Sequence, residues 1–125
     1  MPKTRRLYLL RHAKSSWGEP NLEDRARPLA PRGLKAAKDV GDHMRKGTIA
    51  PALVLCSTAL RARQTLEALR LPGEASYEDS LYGASAADLM ARLRRLPATL
   101  GSVMLVGHNP GLQELAVSLV GKGDP

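Results

Sequence analysis

Three short apolar runs, each breaking off at polar residues, constrain this chain more than any other feature. They are "LYLL" (Leu7–Leu10), "ALVLC" (Ala52–Cys56) and "SVMLV" (Ser102–Val106). None alternates apolar with polar residues. A strand that is apolar at successive positions is buried on both faces, as in a parallel sheet covered by helices. The segments between the runs carry apolar residues at helical spacing. Strand and helix therefore alternate, and the expected fold class is α/β: a three-layer αβα sandwich with a mostly parallel central sheet, in which Leu7–Leu10 is a central strand. A chain of 125 residues is one domain's worth of core. No repeat or long linker divides it, so residues 1–125 are expected to form a single domain.

The helical segments carry their own punctuation. Pro31 opens a pattern of Leu34, Ala37, Val40 and Met44 that Gly47 closes. Ser57–Thr58 suit the N-cap of a helix running to about Arg70, with Leu60, Leu66 and Leu69 along it. A short third strand is expected near Ser76–Glu78. Ser85 and Asp88 then form a capping pair ahead of Leu89, Leu93 and Leu96. Gly107–Gly111 ends the last strand, and Leu112, Leu115, Leu119 and Val120 follow at helical spacing. Ser15–Pro31, polar and proline-containing, reads as a long loop.

In parallel sheets ligands bind beyond the carboxyl ends of the strands. The first run ends in Arg11–His12. The second ends in Ser57, with Arg61 one turn on, and the last ends in Gly107–His108. Parallel strands would bring two arginines and two histidines to one edge of the sheet, where helix N-termini add positive potential. Such a site suits a dianion, most naturally phosphate. Arginine alone would bind it. A neutral imidazole can also attack it, while cations neutralise the charge that builds on the phosphoryl oxygens. This scheme calls for no metal and no cofactor. The joint placement carries the reading, since any one of these residues has a plainer role as a satisfied polar group. His43 reads as a helix-surface residue. Arg5, Arg6, Arg25, Arg32, Arg63, Arg92, Arg94 and Arg95 read as surface charge.

Other chemistries fit less well. "CSTALR" imitates a cysteine phosphatase loop, but that loop needs one residue more than the four separating Cys56 from Arg61. Cys56 is expected to be a small buried hydrophobe. Three widely spaced histidines without an HExxH pattern make a poor metal site. The formal net charge of +7 favours anionic partners. Nucleic acid is disfavoured, because aromatics are 3% of the chain with no Phe and stacking platforms are scarce. No apolar run approaches the ~20 residues of a membrane span, and "LYLL" is too short for a signal-peptide core. With a single cysteine, the expected setting is reducing and cytoplasmic.

Together, "RHAKSSW", "DRARPLAPRG", "STALRARQT", "LYGA" and "VGHNPG" resemble the histidine phosphatase (phosphoglycerate mutase-like) superfamily, and within it the SixA-type phosphohistidine phosphatase branch. The resemblance spans nearly the whole chain and implies a phosphoglycerate mutase-like fold. It implies His12 as the nucleophile that becomes phosphorylated, Arg11 and Arg61 as the phosphoryl clamp, and His108 as the second histidine of the pocket. Ala13 stands where the wider superfamily usually has Gly. Members that cleave phosphate esters usually place a glutamate before the "YG" pair. The counterpart here is Asp79, or less well Glu78. An alkoxide leaving group needs a proton from such an acid, whereas imidazole leaves more readily. The shorter acid thus tilts the expected substrate toward phosphohistidine on a protein.

Asp24 and Arg27, in the loop after the nucleophile, are candidates for orienting water and recruiting substrate. Equally, they can tie that loop to the domain. Lys14 would add positive charge. Family members generally continue beyond an end such as "GKGDP", so the C-terminal segment is expected to be short or incomplete, which would leave a sheet edge open. Two alternatives stand beside the phosphohistidine reading: a phosphatase of a small phosphate ester or anhydride, and a non-catalytic phosphate- or nucleic-acid-binding module.

Overall fold

A computed structural model describes residues 6–12 and 21–123. Lys14, Arg5, the first part of the Ser15–Pro31 loop and the last two residues lie outside the described residues. Among the described residues the strands are β1 (Arg6–Arg11), β2 (Leu53–Ser57), β3 (Glu74–Glu78) and β4 (Ser102–Gly107). The described α-helices are α1 (Pro31–Lys46), α2 (Leu60–Leu69), α3 (Ala86–Arg94) and α4 (Gly111–Gly123). Short 3-10 turns span Asp24–Ala26 and Asp79–Leu81. The sheet order is β1-β4-β2-β3, and every pairing is parallel.

Successive strand residues serve opposite faces, which accounts for the unbroken apolar runs. On one face Val54, Cys56, Met104 and Val106 join Met44 of α1 and Ala62, Leu66 and Leu69 of α2. On the other, Leu55, Val103 and Leu105 join Leu89 and Leu93 of α3 and Leu112 and Leu115 of α4. Two cores, one on each side of the sheet, make the three-layer sandwich. The layering follows from the handedness of crossovers. The path β1 to β2 to β3 moves one way across the sheet, and β3 to β4 moves back. Right-handed connections therefore place α1 and α2 on one face and α3 on the other.

Four local expectations need correction. Strand β1 is not central: among the described strands it lies at an edge, paired only with β4, and its residues are half-buried to exposed. On α1, the face turned inward is Gly33, Ala37, Gly41 and Met44, while Leu34 and Val40 are exposed. Small residues win there because α1 packs directly on α2: a Cβ at Gly41 would lie 2.3 Å from the Leu69 carbonyl oxygen. Ser57 and Thr58 do not cap α2. The N-cap position is Ala59, and the two hydroxyls are used elsewhere. The third strand is longer than expected, because β3 is held by main-chain pairing with β2 and not by apolar side chains. By contrast, Ser85 and Asp88 form a reciprocal capping box on α3. No described helix is long and apolar enough to cross a membrane.

Candidate active site

Strand β4 enters the sheet between β1 and β2, so the carboxyl ends of these three neighbouring strands meet. Arg11 stands opposite Gly107 in the β1–β4 register, and the next backbone N–H, of His12, donates to Gly107 O at 3.0 Å. His12 and His108 are thereby held side by side, ring centroids 5.1 Å apart and tilted by 57°. Arg61 enters from the first turn of α2. It is 8% exposed, and three of its nitrogens are engaged. Nε donates to His12 Nε2 at 3.2 Å, Nη1 to the Asp24 carbonyl at 2.5 Å, and Nη2 to Asp24 Oδ2 at 2.9 Å. Because Arg61 donates to it, His12 Nε2 presents its lone pair.

The carboxylate that holds Arg61 is itself held. Tyr82 donates its hydroxyl to the same Asp24 oxygen, Oδ2, at 2.6 Å. That bond, followed by those from Arg61, keeps the Asp24 carboxyl below its usual range against the opposing effect of burial. His108 Nε2 is 2.8 Å from the hydroxyl of Ser57, which is fully buried at the end of β2. Burial, then the positive charge of Arg61, depresses the His108 pKa from 6.5 to about 4. His108 is therefore neutral at pH 7.

A pH dependence follows from that depression. Between about pH 4 and 6.5 the unfolded chain protonates His108 while the folded chain does not. The unfolded state binds more protons there, so stability rises with pH across that window and falls as pH drops through it. Denaturant titrations at stepped pH should show this slope, and His108→Asn should remove His108's share of it. An unchanged slope in the variant would contradict the assignment.

A second cluster forms the rim. Thr58 donates to Asp79 Oδ1 at 2.5 Å. Arg25 Nη2 donates to both Thr58 Oγ1 and Asp79 Oδ1, each at 2.5 Å. The Arg25 guanidinium lies over the Tyr82 ring, 4.8 Å from its centroid, and Tyr82 sits edge-on to His108 at 5.5 Å. Arg25, read from sequence as surface charge, is thus part of the rim. Glu78 is committed elsewhere: Arg92 holds both its oxygens, at 2.7 and 2.8 Å, and Ser76 donates to one of them. Arg92 is accordingly an ion-pair partner.

Of the residues singled out from sequence, His12, Arg61, His108 and Asp24 are joined directly, Arg11 stands one residue from His12, and Asp79 reaches them through Arg25 and Tyr82. Arg27 stands apart. It is 6% exposed and donates to Leu22 O, so it ties the loop from beneath, which does not suit recruitment of a substrate from solvent. Cys56 is fully buried, and burial pushes its thiol up to about 12, far from a reactive thiolate. Among the described residues no group of three His, Cys, Asp or Glu side chains is arranged to hold a metal ion. Sequence reasoning missed Tyr82 and the Ser57 hydroxyl as site residues. For Tyr82 the one signal was its place in "LYGA", three residues after Asp79.

The sequence profile of the histidine phosphatase superfamily (branch 1) matches residues 7–82, a span that contains Arg11, His12, Asp24, Arg61 and Tyr82. The chain belongs to the histidine phosphatase superfamily. As a member it is a hydrolase of the phosphatase class, with the phosphoglycerate mutase-like fold. An uncharacterized protein of Mycobacterium tuberculosis is 39% identical over 110 residues, spanning 88% of this chain and 69% of its own length. The structure of a candidate phosphohistidine phosphatase SixA from Agrobacterium tumefaciens is similar at 33% identity and a TM-score of 0.88, covering 96% of this chain and 79% of that one. The protein histidine phosphatase SixA complexed with tungstate is similar at 25% identity and a TM-score of 0.80, covering 90% of this chain and 75% of that one.

Proposed function

We propose that this histidine phosphatase removes phosphate from phosphohistidine on proteins, through a phosphohistidine intermediate on its own His12. The observation that carries this reading is the 3.2 Å contact of Arg61 Nε with His12 Nε2, beside the His108 ring. It sets a lone-pair nitrogen against a guanidinium, the pairing that attack on a bound dianion needs. In the first step His12 Nε2 bonds to phosphorus and the bond from phosphorus to the substrate imidazole breaks. Arg61, held by Asp24 through both Nη groups, redirects its Nε–H from Nε2 to a phosphoryl oxygen. Arg11 also neutralises the phosphoryl charge, and neutral His108 contacts the phosphoryl group without adding charge. The departing imidazole takes its proton from solvent. Water then attacks phosphorus, releasing inorganic phosphate and His12. The ionised Asp24 is an acceptor suited to orienting that water.

The rim supports phosphohistidine over an ester. Asp79 Oδ1 already accepts from Thr58 and Arg25, so this carboxylate is engaged in holding the rim. An alkoxide leaving group would need a proton from such an acid and an imidazole would not. Likeness to SixA proteins points the same way. The test is a substrate panel without added metal: a phosphohistidine protein, phosphoserine and phosphotyrosine peptides, and sugar phosphates. The phosphohistidine protein should be preferred, and Asp79→Asn should leave its turnover nearly unchanged. Preference for an ester, with a loss of about 10²–10⁴-fold in Asp79→Asn, would instead favour the small-ester alternative. Saturable binding with no turnover of any substrate would favour the binding module.

A further inference from the structure

The Arg61 side chain is long and flexible, and a phosphoryl clamp has to be held in one orientation. Its only carboxylate partner among the described residues is Asp24. That residue sits on a three-residue turn, and its side chain is 51% exposed. An ion pair with a partner that exposed is weak in isolation, so something else must fix the carboxylate.

We propose that Tyr82 is a positioning residue of the phosphoryl site, its hydroxyl holding the Asp24 oxygen that in turn holds Arg61 against His12. Three features carry this. Both the Tyr82 and the Arg61 bonds fall on Asp24 Oδ2, so the tyrosine fixes the very atom the arginine uses. The Tyr82 backbone is anchored independently of the Asp24 loop. It follows the Asp79–Leu81 turn, whose Leu81 is buried in the core between the sheet and helices α3 and α4, and its backbone N–H donates to Asp79 O. Its ring is also confined on two sides, edge-on to His108 and beneath the Arg25 guanidinium. The hydroxyl thus connects two segments 58 residues apart in sequence, and the ring abuts the second histidine. Tyr82 also lies within reach of Arg61 itself, and its 2.6 Å bond to Asp24 Oδ2 is the route by which it holds the arginine's partner in place.

The catalytic part of this inference rests on the function proposed above; the coupling of Tyr82 to Arg61 does not. Tyr82→Phe keeps the ring and removes the hydroxyl. Expected is a loss of about 10- to 100-fold in kcat/KM for an aryl phosphate, with a matching weakening of tungstate binding measured by calorimetry. In an Asp24→Ala background the same substitution should have a much smaller effect on both quantities, because its main route to Arg61 is gone. The Arg61 Nε–H resonance in ¹⁵N-labelled protein should shift in Tyr82→Phe. A purely structural tyrosine would lower the melting temperature while leaving that resonance and the tungstate affinity of the folded protein intact. An equal loss in both backgrounds, or an unmoved Arg61 resonance, overturns the inference. Full turnover in His12→Ala overturns the functional reading instead and leaves the Tyr82–Asp24–Arg61 coupling to be judged by the resonance.

Discussion

Replacing His12 with alanine is expected to lower turnover of every phosphorylated substrate by at least about 10⁴-fold, the order seen when a covalent nucleophile is removed. The size of the effect follows from the site. Without the His12 imidazole, the bonds among Arg61, Asp24 and Tyr82 and the bond between Ser57 and His108 have all their partners, but none of these residues presents a comparable nucleophile. Ser57 is fully buried and engaged with His108, and Cys56 is buried with its thiol pushed up to about 12. A brief reaction quenched in alkali should trap acid-labile phosphoryl label on residue 12 of the wild type and none on the variant. Tungstate should still bind the variant, because the anion-holding groups remain. Label retained in His12→Ala would move the covalent step to another residue.

The second large effect is expected at Arg61. Arg61→Ala should cost about 10³–10⁵ in kcat, the range associated with an arginine that meets transition-state charge in phosphoryl transfer. Arg61→Lys should recover little. Arg61 makes its contacts through three separate nitrogens of a planar fork, and an ammonium offers one centre. An electrostatic signature should accompany the loss. Arg61 is, after burial, the foremost cause of the depressed His108 pKa, so removing its charge should move that pKa from about 4 toward its usual value. NMR titration of the His108 ring reads this directly. A kinetic loss without movement of His108 would mean that Arg61 is not where the structure places it in the reacting protein.

The parts of this molecule that were legible from sequence share a physical origin in local periodicity. Continuous apolar strands imply two covered faces, and two cores are found. Polar residues at the ends of three such strands imply a common edge, and His12, Arg61 and His108 meet there. The misreadings also have physical causes. On α1 the apolar stripe pointed to Leu34 and Val40, but close packing on α2 favoured the glycines and Ala37. Strand β3 carries few apolar residues because its place is held by main-chain hydrogen bonds to β2, which leave no pattern in side chains. Arg25 looked like any surface arginine, since nothing near it in sequence indicates Thr58 or Asp79, 33 and 54 residues away.

By itself, the sequence determined the α/β class and the edge of the sheet at which His12, Arg61 and His108 gather. Each depends on residues acting through their own strand or helix. Only the tertiary structure decided that β1 lies at an edge among the described strands, that Arg27 is buried, and that Tyr82 and Arg61 meet on one oxygen of Asp24. Those outcomes depend on how segments tens of residues apart come to rest against one another, and spacing along the chain carries no measure of that distance.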